Sequence, residues 1–289
     1  MKTEKLILGT VQLGLDYGIN NSTGKPNSKE AFGILKEANI QGIKYLDTAE
    51  AYGNSEEIIG LFHKASPKHF NILTKFHVKR DDQISALVTR ALQRLNVANI
   101  EVFFFHSYQD FKANPEMIQD LQIEVKAGRI NKIGVSVYTN EEINDLLGYK
   151  EVDVIQAPFN LLDNENKRAE IFTKAKASGK TVYTRSVFLQ GLFFKKTDEL
   201  PGKLLPLKKD LELIKGLVKD SNLSIASLAL NYVINKKYID GVLVGVDSVQ
   251  QLQNNLTALK DELPLEIVQV VDKIMVESNR LLNPAEWNI

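Results

Sequence analysis

The sequence predicts an α/β fold, specifically a (β/α)8 TIM barrel in which parallel strands alternate with helices. Short β-branched or aromatic segments alternate with longer segments of helical period. The short segments are apolar on both faces, as expected for parallel strands that helices cover. Eight such units share 289 residues, or about 36 residues each (289/8), and barrels of this kind typically have ~250 residues.

The predicted strands are residues 6–8, 45–46, 71–74, 102–105, 133–135, 152–155, 181–183 and 241–244. A doubly wound sheet is the competing fold, and such sheets usually carry a G-x-G-x-x-G phosphate loop after the first strand. Gly9, Gly14 and Gly18 do not have that spacing, which favours the barrel. No linker, low-complexity tract or repeat interrupts the sequence, so residues 1–289 are predicted to form a single domain.

Helical period appears in residues 29–38, 83–95, 118–125, 168–177, 211–218 and 225–234. Ser28 is the predicted cap of the first of these helices. Gly42, Gly128 and Gly179 each precede a predicted strand. We expect a left-handed conformation at these glycines, because a helix commonly ends on such a residue.

The composition excludes several classes of function. Apolar residues make up 44% and charged residues 25%, as in ordinary globular proteins. The 36 basic and 36 acidic residues balance, so a nucleic-acid partner is not expected. The absence of cysteine excludes disulfides and thiolate catalysis, and no metal site is predicted. The first residues do not resemble a signal peptide, and no segment approaches the ~20 apolar residues of a membrane span, so a cytoplasmic location without a membrane partner is expected.

Four polar residues lie at the ends of neighbouring predicted strands. Asp47 and Tyr52 follow the second strand, Lys75 ends the third and His106 ends the fourth. Asp47 and Lys75 are 28 residues apart, and Lys75 and His106 are 31 residues apart, each about one βα unit. Because barrel enzymes react at the carboxyl ends of their strands, we expect these residues on one rim.

These residue types together are suited to protonating an oxyanion. A tyrosine normally titrates near pH 10, and a neighbouring ammonium lowers its pKa, while a buried carboxylate holds that ammonium in place. A neutral histidine can donate a hydrogen bond to a carbonyl oxygen. Tyr52 is therefore predicted to protonate a carbonyl oxygen as hydride reaches the carbon, assisted by Asp47, Lys75 and His106. Taken singly, each residue has an ordinary structural explanation, and the common rim favours catalysis.

The chain resembles the aldo-keto reductase family from residue 6 to about residue 259. The resemblance is carried by Asp47-Thr-Ala-x-x-Tyr52-Gly, Thr74-Lys75, Phe105-His106, Gly134-Val-Ser136 and Gln156. It implies a (β/α)8 barrel that interconverts a carbonyl compound (aldehyde, ketone or sugar) and its alcohol with NADPH or NADH. It also implies that Tyr52 is the proton donor and that Asp47, Lys75 and His106 are its catalytic partners.

The resemblance further implies a set of cofactor-binding residues. They are Thr10, Asp47, Ser136, Gln156, Arg185, Ser186, Leu192, Gly245, Ser248, Gln251, Asn254 and Asn255. Ser136 and Gln156 match the residues that bind the nicotinamide carboxamide. Val137 stands where the family commonly has Asn, and Arg185 replaces the usual stacking aromatic residue. The planar guanidinium of Arg185 can still stack on a ring, and a surface salt bridge is the alternative.

The segment 245–255 matches the part of the family that binds the adenosine phosphate. It is predicted to be a loop that opens into a helix capped by Ser248, whose N-terminal N–H groups suit an anion. Its only charged side chain is Asp247, whereas members that prefer NADP usually carry Arg or Lys there. Lys195 and Lys196 are candidates for a compensating cation. Both NADP and NAD are therefore kept as cofactors, and any preference for NADPH is predicted to be about tenfold or less.

Two other functions are compatible with parts of the sequence. One is a cofactor-binding regulatory or non-catalytic protein of the same family. The other is a lyase with Lys75 as a Schiff-base nucleophile, which needs a depressed lysine pKa that Asp47 opposes.

The predicted substrate is a small carbonyl compound. Its pocket is predicted to be walled by Tyr17, Tyr108, Phe159, Phe188 and residues 283–287, although each is equally compatible with loop packing. The sequence specifies neither the physiological substrate nor the oligomeric state.

Overall fold

Eight parallel strands form a closed barrel in the computed structural model, which describes residues 2–21, 24–79 and 82–287. Each strand pairs with its neighbours in the sequence, and the first pairs with the last. The strands are β1 (Leu6–Gly9), β2 (Tyr45–Asp47), β3 (Asn71–Phe76), β4 (Ile100–Phe105), β5 (Ile130–Ser136), β6 (Val154–Pro158), β7 (Thr181–Arg185) and β8 (Gly241–Gly245). The predicted (β/α)8 barrel is confirmed, and all eight predicted strand segments overlap observed strands.

Helices follow the strands and cover the outside of the barrel. They are α1 (Val11–Gly14), α2 (Ser28–Ile40), α3 (Ser55–Ala65), α4 (Ile84–Leu95), α5 (Tyr108–Ala113), α6 (Met117–Lys126), α7 (Asn140–Leu146), α8 (Glu165–Ala177), α9 (Lys208–Ser221), α10 (Ile225–Ile234), α11 (Val249–Ala258) and α12 (Leu265–Asp272). Across the described residues, no helix combines the length and apolar character needed to span a membrane.

The helix ends explain one wrong prediction and one confirmed one. The N-cap of α2 is Asn27, because its side chain accepts from the Glu30 N–H while the Glu30 carboxylate accepts from the Asn27 N–H. This reciprocal capping box makes Ser28 the first helical residue, so the predicted cap is wrong. The three glycines before β2, β5 and β7 have φ angles of +77°, +71° and +79°, which confirms their left-handed conformation.

The barrel interior is filled by an apolar layer beneath the polar strand ends. This layer consists of Ile7, Leu73, Val102, Phe104, Val154, Tyr183 and Leu243. Gly134 makes room for it, because a Cβ atom there would lie 2.4 Å from the Phe104 ring. The same ring centroid is 6.0 Å from the Lys75 ammonium. The barrel is therefore closed below, and polar chemistry is confined to the carboxyl ends of the strands.

Candidate active site

The carboxyl ends of the strands open into a cavity of about 1140 Å³. Its lining comes from the carboxyl ends of all eight strands and the loops after them, from the start of α10, from α11 and the turn after it, and from residues 284–285. All four predicted catalytic residues, Asp47, Tyr52, Lys75 and His106, contribute to this lining. The cavity therefore brings together residues that are as much as 59 positions apart in the sequence (106 − 47).

Asp47 connects three strands at the base of the cavity. Lys75 Nζ donates to Asp47 Oδ2 at 2.5 Å and to the Thr48 carbonyl at 3.0 Å. Gln156 Nε2 donates to Asp47 Oδ1 at 2.8 Å. Asp47 is in register with Leu73, so Lys75 lies two residues further along β3 and points to the same face. Both charged groups are 2% exposed, and each satisfies the other.

Tyr52 lies in the loop after β2, above this ion pair. Its ring centroid is 5.2 Å from Lys75 Nζ and 5.8 Å from the His106 ring, which it meets edge-on. The loop packs directly against α1, where a Cβ atom at Gly14 would lie 1.7 Å from the Tyr52 carbonyl oxygen. Gly53 has φ +56°, and a Cβ atom there would lie 2.4 Å from the Gly14 carbonyl oxygen. Both glycines are needed to hold the tyrosine at this distance from the lysine.

The environment of Tyr52 keeps its phenol protonated. Burial raises the pKa of Tyr52 above its ordinary value, the Asp47 carboxylate raises that pKa further, and the Arg185 guanidinium opposes the change. This differs from the expectation that Lys75 lowers the pKa. The reason is that burial raises this pKa most strongly and that the Asp47 carboxylate, 2.5 Å from Lys75, opposes the effect of the ammonium on the phenol.

His106 is held as a neutral imidazole. Burial lowers its pKa to about 2, and the Lys75 cation contributes to that change. Its ring stacks on His77 with centroids 4.3 Å apart, and His77 Nδ1 lies 2.7 Å from an oxygen of Asp110. The Nδ1 atom of His106 is buried and has no hydrogen-bond partner among the described residues. A neutral imidazole carries one N–H donor, as the predicted role in orienting a carbonyl requires.

Lys75 is held in its ammonium form by its contacts. Burial lowers the pKa of Lys75, and the Asp47 carboxylate acts in the opposite direction. Hydrogen bonds to a carboxylate and to the Thr48 carbonyl occupy two of the three ammonium donors and stabilise the charged form. A Schiff-base nucleophile needs a free amine, so this arrangement disfavours the lyase alternative.

Ser136 and Gln156 present complementary polar groups to the cavity. They are register partners on β5 and β6, so their side chains lie side by side. Gln156 Oε1 is buried without a hydrogen-bond partner, and the Ser136 hydroxyl makes no hydrogen bond with the described residues. An unsatisfied acceptor beside a free hydroxyl fits a carboxamide, which offers both N–H donors and a carbonyl acceptor.

Arg185 stacks on a residue that the sequence analysis missed. Its guanidinium carbon lies 4.1 Å from the centroid of the Tyr138 ring, and its Nη2 donates to the Val137 carbonyl at 3.1 Å. Val137 itself is fully buried in the apolar core, which accounts for an apolar residue at that position. Tyr138 lies two residues after the end of β5. A search for polar residues at strand ends, which identified Lys75, could therefore have identified Tyr138 as well.

At the far end of the cavity, Asp247 is fixed by the first turn of α11. Its N–H donates to Gln251 Oε1 at 2.8 Å, and Gln251 Nε2 donates back to Asp247 Oδ2 at 3.3 Å. Asp247 Oδ1 is buried and finds no hydrogen-bond partner in the described part of the chain. Ser248 caps α11 by accepting from the Gln251 N–H, as predicted. Gly245, Asn254 and Asn255 also line this end.

The remaining predicted cofactor residues differ in their access to the cavity. Ser186 lines it with a left-handed backbone of φ +63°. Thr10 lines it too, although its hydroxyl already donates to the Asp47 carbonyl at 2.9 Å. The Leu192 side chain is fully buried in the core, and neither Leu192 nor Ser248 belongs to the lining. Their roles in cofactor binding stay predictions.

The predicted pocket walls are partly wrong. Tyr17 and Phe188 line the cavity, together with residues 284–285 of the tail. Tyr108, the first residue of α5, instead donates to Asp145 of α7. Phe159 is fully buried and stacks on the Tyr232 ring. A residue just after a strand can turn into the helix layer as readily as into the cavity, and its identity alone does not distinguish the two.

The structure adds lining residues that sequence reasoning did not find. They include Gln12, Asn20, Gln190, Phe194, Ser224 and Asp261. Gln12 lies three residues after the end of β1, so a search for polar residues at strand ends could have identified it. Ser224 and Asp261 lie near helix ends far from any strand end, and no local sequence signal marks them. Lys195 and Lys196 do not line the cavity, and Lys196 pairs with Glu199 instead.

Comparisons with known proteins identify the family. The model of the aldo/keto reductase family matches residues 5–276. The NADH-specific methylglyoxal reductase of Escherichia coli (strain K12) is 26% identical over 270 residues, covering 79% of this chain and 82% of that protein. L-galactose dehydrogenase of Arabidopsis thaliana is 24% identical over 280 residues, covering 89% and 85%.

A solved structure shares the fold. The holo form of the aldo-keto reductase AKR11C1 from Bacillus halodurans superposes with a TM-score of 0.74 at 21% identity, covering 96% of this chain and 95% of that one. At this level of identity, the likeness establishes the barrel architecture.

Proposed function

The chain belongs to the aldo/keto reductase family, and we propose that it uses Tyr52 as the proton donor when it reduces a small carbonyl compound with NAD(P)H. One observation carries this proposal. A phenol that burial keeps protonated lies in the cavity, with its ring centroid 5.2 Å from an ammonium nitrogen and its ring edge-on to a neutral imidazole. This set can donate a proton and then stabilise the phenolate that remains.

The cavity has residues suited to the cofactor. Bound NAD(P)H supplies the hydride. Ser136 and Gln156 would hold the nicotinamide carboxamide, because a free hydroxyl and an unsatisfied buried carbonyl oxygen lie side by side there. Arg185, with Tyr138 stacked on it, would contribute to the wall beside the ring.

Each catalytic side chain then has a distinct task. The His106 N–H orients the carbonyl oxygen of the substrate, and the Tyr52 hydroxyl donates its proton to that oxygen. The Lys75 ammonium stabilises the resulting phenolate. Asp47 keeps Lys75 charged and in place through the 2.5 Å contact. The acid is neutral before the reaction and acquires charge only as the proton leaves, so the nearby cation favours the transition state over the ground state.

The cavity walls support a short carbonyl substrate with polar substituents. The cavity lining includes both aromatic side chains and amides, namely Tyr17, Asn20, Phe188, Gln190 and Phe194. Amides and a phenol can bind hydroxyl or carbonyl groups next to the reacting carbon. The names of two relatives, a methylglyoxal reductase and an L-galactose dehydrogenase, support oxoaldehydes and sugars as the first classes to test.

The proposal is tested by fluorescence titration with NADH and NADPH, followed by turnover with oxoaldehydes, sugars and aromatic aldehydes. We expect saturable cofactor binding and turnover that Tyr52→Phe removes. Tyr149→Phe is the matched control, because it removes the same hydroxyl from a tyrosine that lies outside the cavity lining and accepts from Lys112. Cofactor binding without turnover of any carbonyl would favour the regulatory alternative, and full activity of Tyr52→Phe would exclude the assigned donor.

We also propose that residues 1–289 act as a single barrel domain in the cytoplasm, where reduced NAD(P)H is available. The balance of 36 basic and 36 acidic residues supports a small-molecule enzyme without affinity for nucleic acid.

A further inference from the structure

The charged residues of the cavity lining fall into two separate groups. Within the described part of the chain, the lining cations are Lys75 and Arg185, and both lie near Tyr52. The lining acids away from that group are Asp247, before α11, and Asp261, after it. The end of the cavity beside α11 is therefore acidic.

The adenosine half of the cofactor belongs at this acidic end. A hydride donor must reach the carbon next to the Tyr52 hydroxyl, which fixes the nicotinamide at the catalytic residues. A dinucleotide is elongated, and the same cavity continues to the first turn of α11. The loops after the last two strands and the following helix N-terminus are also where barrels commonly bind phosphate groups.

Two side chains at this end have unmet hydrogen-bonding capacity. Asn255 is only 8% exposed and lines the cavity, and its side-chain amide makes no hydrogen bond with the described residues. One oxygen of the Asp247 carboxylate is likewise buried without a partner, while Gln251 holds the other. An unmet buried acceptor is unfavourable, and a ribose hydroxyl is a donor that satisfies it.

Lys2 lies close to Asp261, but its ammonium group already donates to other groups of the protein. Lys2 Nζ donates to Asn231 Oδ1 at 2.6 Å and to the carbonyls of Leu259 and Asp261 at 3.0 Å each. These contacts use all the donors of one ammonium. A 2′-phosphate, with a charge of about −1.5 to −2, would therefore meet the Asp247 carboxylate without a compensating cation among the described lining residues at the α11 end, because Lys75 and Arg185 lie near Tyr52.

We propose that Asp247 makes the enzyme select NADH over NADPH by accepting a hydrogen bond from the 2′-hydroxyl of the adenosine ribose. Gln251 is a positioning residue, since its amide donates one hydrogen bond to the Asp247 carboxylate and accepts another from the Asp247 backbone N–H. The inference rests on the proposed function, because it requires the cofactor to lie in this cavity. It goes beyond the sequence-based prediction of weak discrimination by stating the direction of the preference and the group responsible.

The experiment measures dissociation constants of NADH and NADPH for the full-length wild type, Asp247→Asn, Asp247→Arg and the control Glu266→Gln. Glu266 is an exposed acid on α12 outside the lining, so its neutralisation changes net charge equally. We expect the wild type to bind NADH at least tenfold more tightly. Asp247→Asn should reduce that ratio at least fivefold, mainly through tighter NADPH, and Asp247→Arg should reverse it, whereas the control leaves the ratio unchanged.

Binding of ADP-ribose and its 2′-phosphorylated form, which lack nicotinamide, separates this inference from the proposed function. The same preference for the unphosphorylated compound supports the assignment of Asp247. Tighter NADPH binding in the wild type, or an unchanged ratio in a folded Asp247→Asn protein, overturns it. Failure of both cofactors and both fragments to bind overturns the proposed function and this inference together. Normal binding with an active Tyr52→Phe variant overturns only the assigned proton donor.

Discussion

The two ends of the cavity handle charge in different ways. At the catalytic end, Asp47 lies 2.5 Å from Lys75 and also accepts from Gln156, so one buried carboxylate is satisfied from two other strands. At the α11 end, among the residues that the structure describes, Asp247 is held by Gln251 alone, four residues away, and one of its oxygens has no partner. The fully buried Asp47 carboxylate needs a cation and a hydrogen-bond donor to offset its loss of hydration. The half-buried Asp247 carboxylate keeps one oxygen that can accept a hydrogen bond from a ligand.

The largest effect is expected from a substitution that removes the proton donor at the catalytic end and leaves the α11 end unchanged. Tyr52→Phe should lower kcat for carbonyl reduction by ~10²–10⁴-fold, because it removes only the acidic hydroxyl. The dissociation constant of NADH should stay within about twofold, since the α11 end is unchanged. Steady-state kinetics and fluorescence titration measure the two quantities. Turnover within threefold of the wild type would contradict the assignment.

A second substitution tests the pairing of Lys75 with Asp47. Reduction needs the protonated phenol, so its rate falls as pH rises through the pKa of Tyr52. Lys75→Met leaves the Asp47 carboxylate uncompensated, which should raise that pKa and move the basic limb of the kcat profile upward by about one unit, or 1.4 kcal/mol. Lys180→Met is the control, because Lys180 is also buried but donates to backbone carbonyls outside the cavity. A profile that does not move, with chemistry rate-limiting, argues against the pairing.

A third substitution tests the excess positive charge near Tyr52. The oxidised nicotinamide carries a positive charge and the reduced ring does not, so Arg185 should weaken NAD⁺ binding relative to NADH. Arg185→Met should strengthen the binding of NAD⁺ relative to that of NADH by roughly fivefold, or about 1 kcal/mol. The expected change is modest because solvent partly screens the guanidinium. Titration with both forms gives the ratio. A ratio equal to that of the wild type would place Arg185 too far from the ring.

The smallest expected effect concerns the second acid of the α11 end. Asp261 is exposed, so solvent and salt screen its charge more than that of Asp247. Asp261→Asn should therefore tighten NADPH by about twofold at low salt, and the gain should vanish at ~1 M salt. If Asp261→Asn changed the ratio of the NADH and NADPH dissociation constants more than Asp247→Asn does, Asp261 rather than Asp247 would be the residue that selects the cofactor.

The catalytic end was largely predictable from the sequence, and the α11 end only in part. The carboxyl ends of neighbouring parallel strands meet on one rim, so Asp47, Lys75 and His106 follow from strand positions alone. The protonation of Tyr52 did not follow, because it depends on the short Asp47–Lys75 distance and on burial. Asp247 was visible as the only charge of its segment, but its fixed orientation required the contact with Gln251.

Other features depend on tertiary packing that local sequence does not encode. Phe159 and Tyr108 have the residue type of pocket walls, yet the first packs in the core and the second bonds to α7. Ser224 reaches the cavity only because α10 begins beside α11. Asn27 rather than Ser28 caps α2 because the Glu30 side chain is in place to reciprocate.

The hydrogen bond from Gln156 to Asp47 also has a consequence for how the protein folds. It joins residues 109 positions apart and can form only after β6 has taken its place in the closed barrel. Contacts of such long sequence separation form late, whereas helices form early. During refolding, helical circular dichroism should therefore recover first, and enzymatic activity should return only with the slower step that closes the sheet.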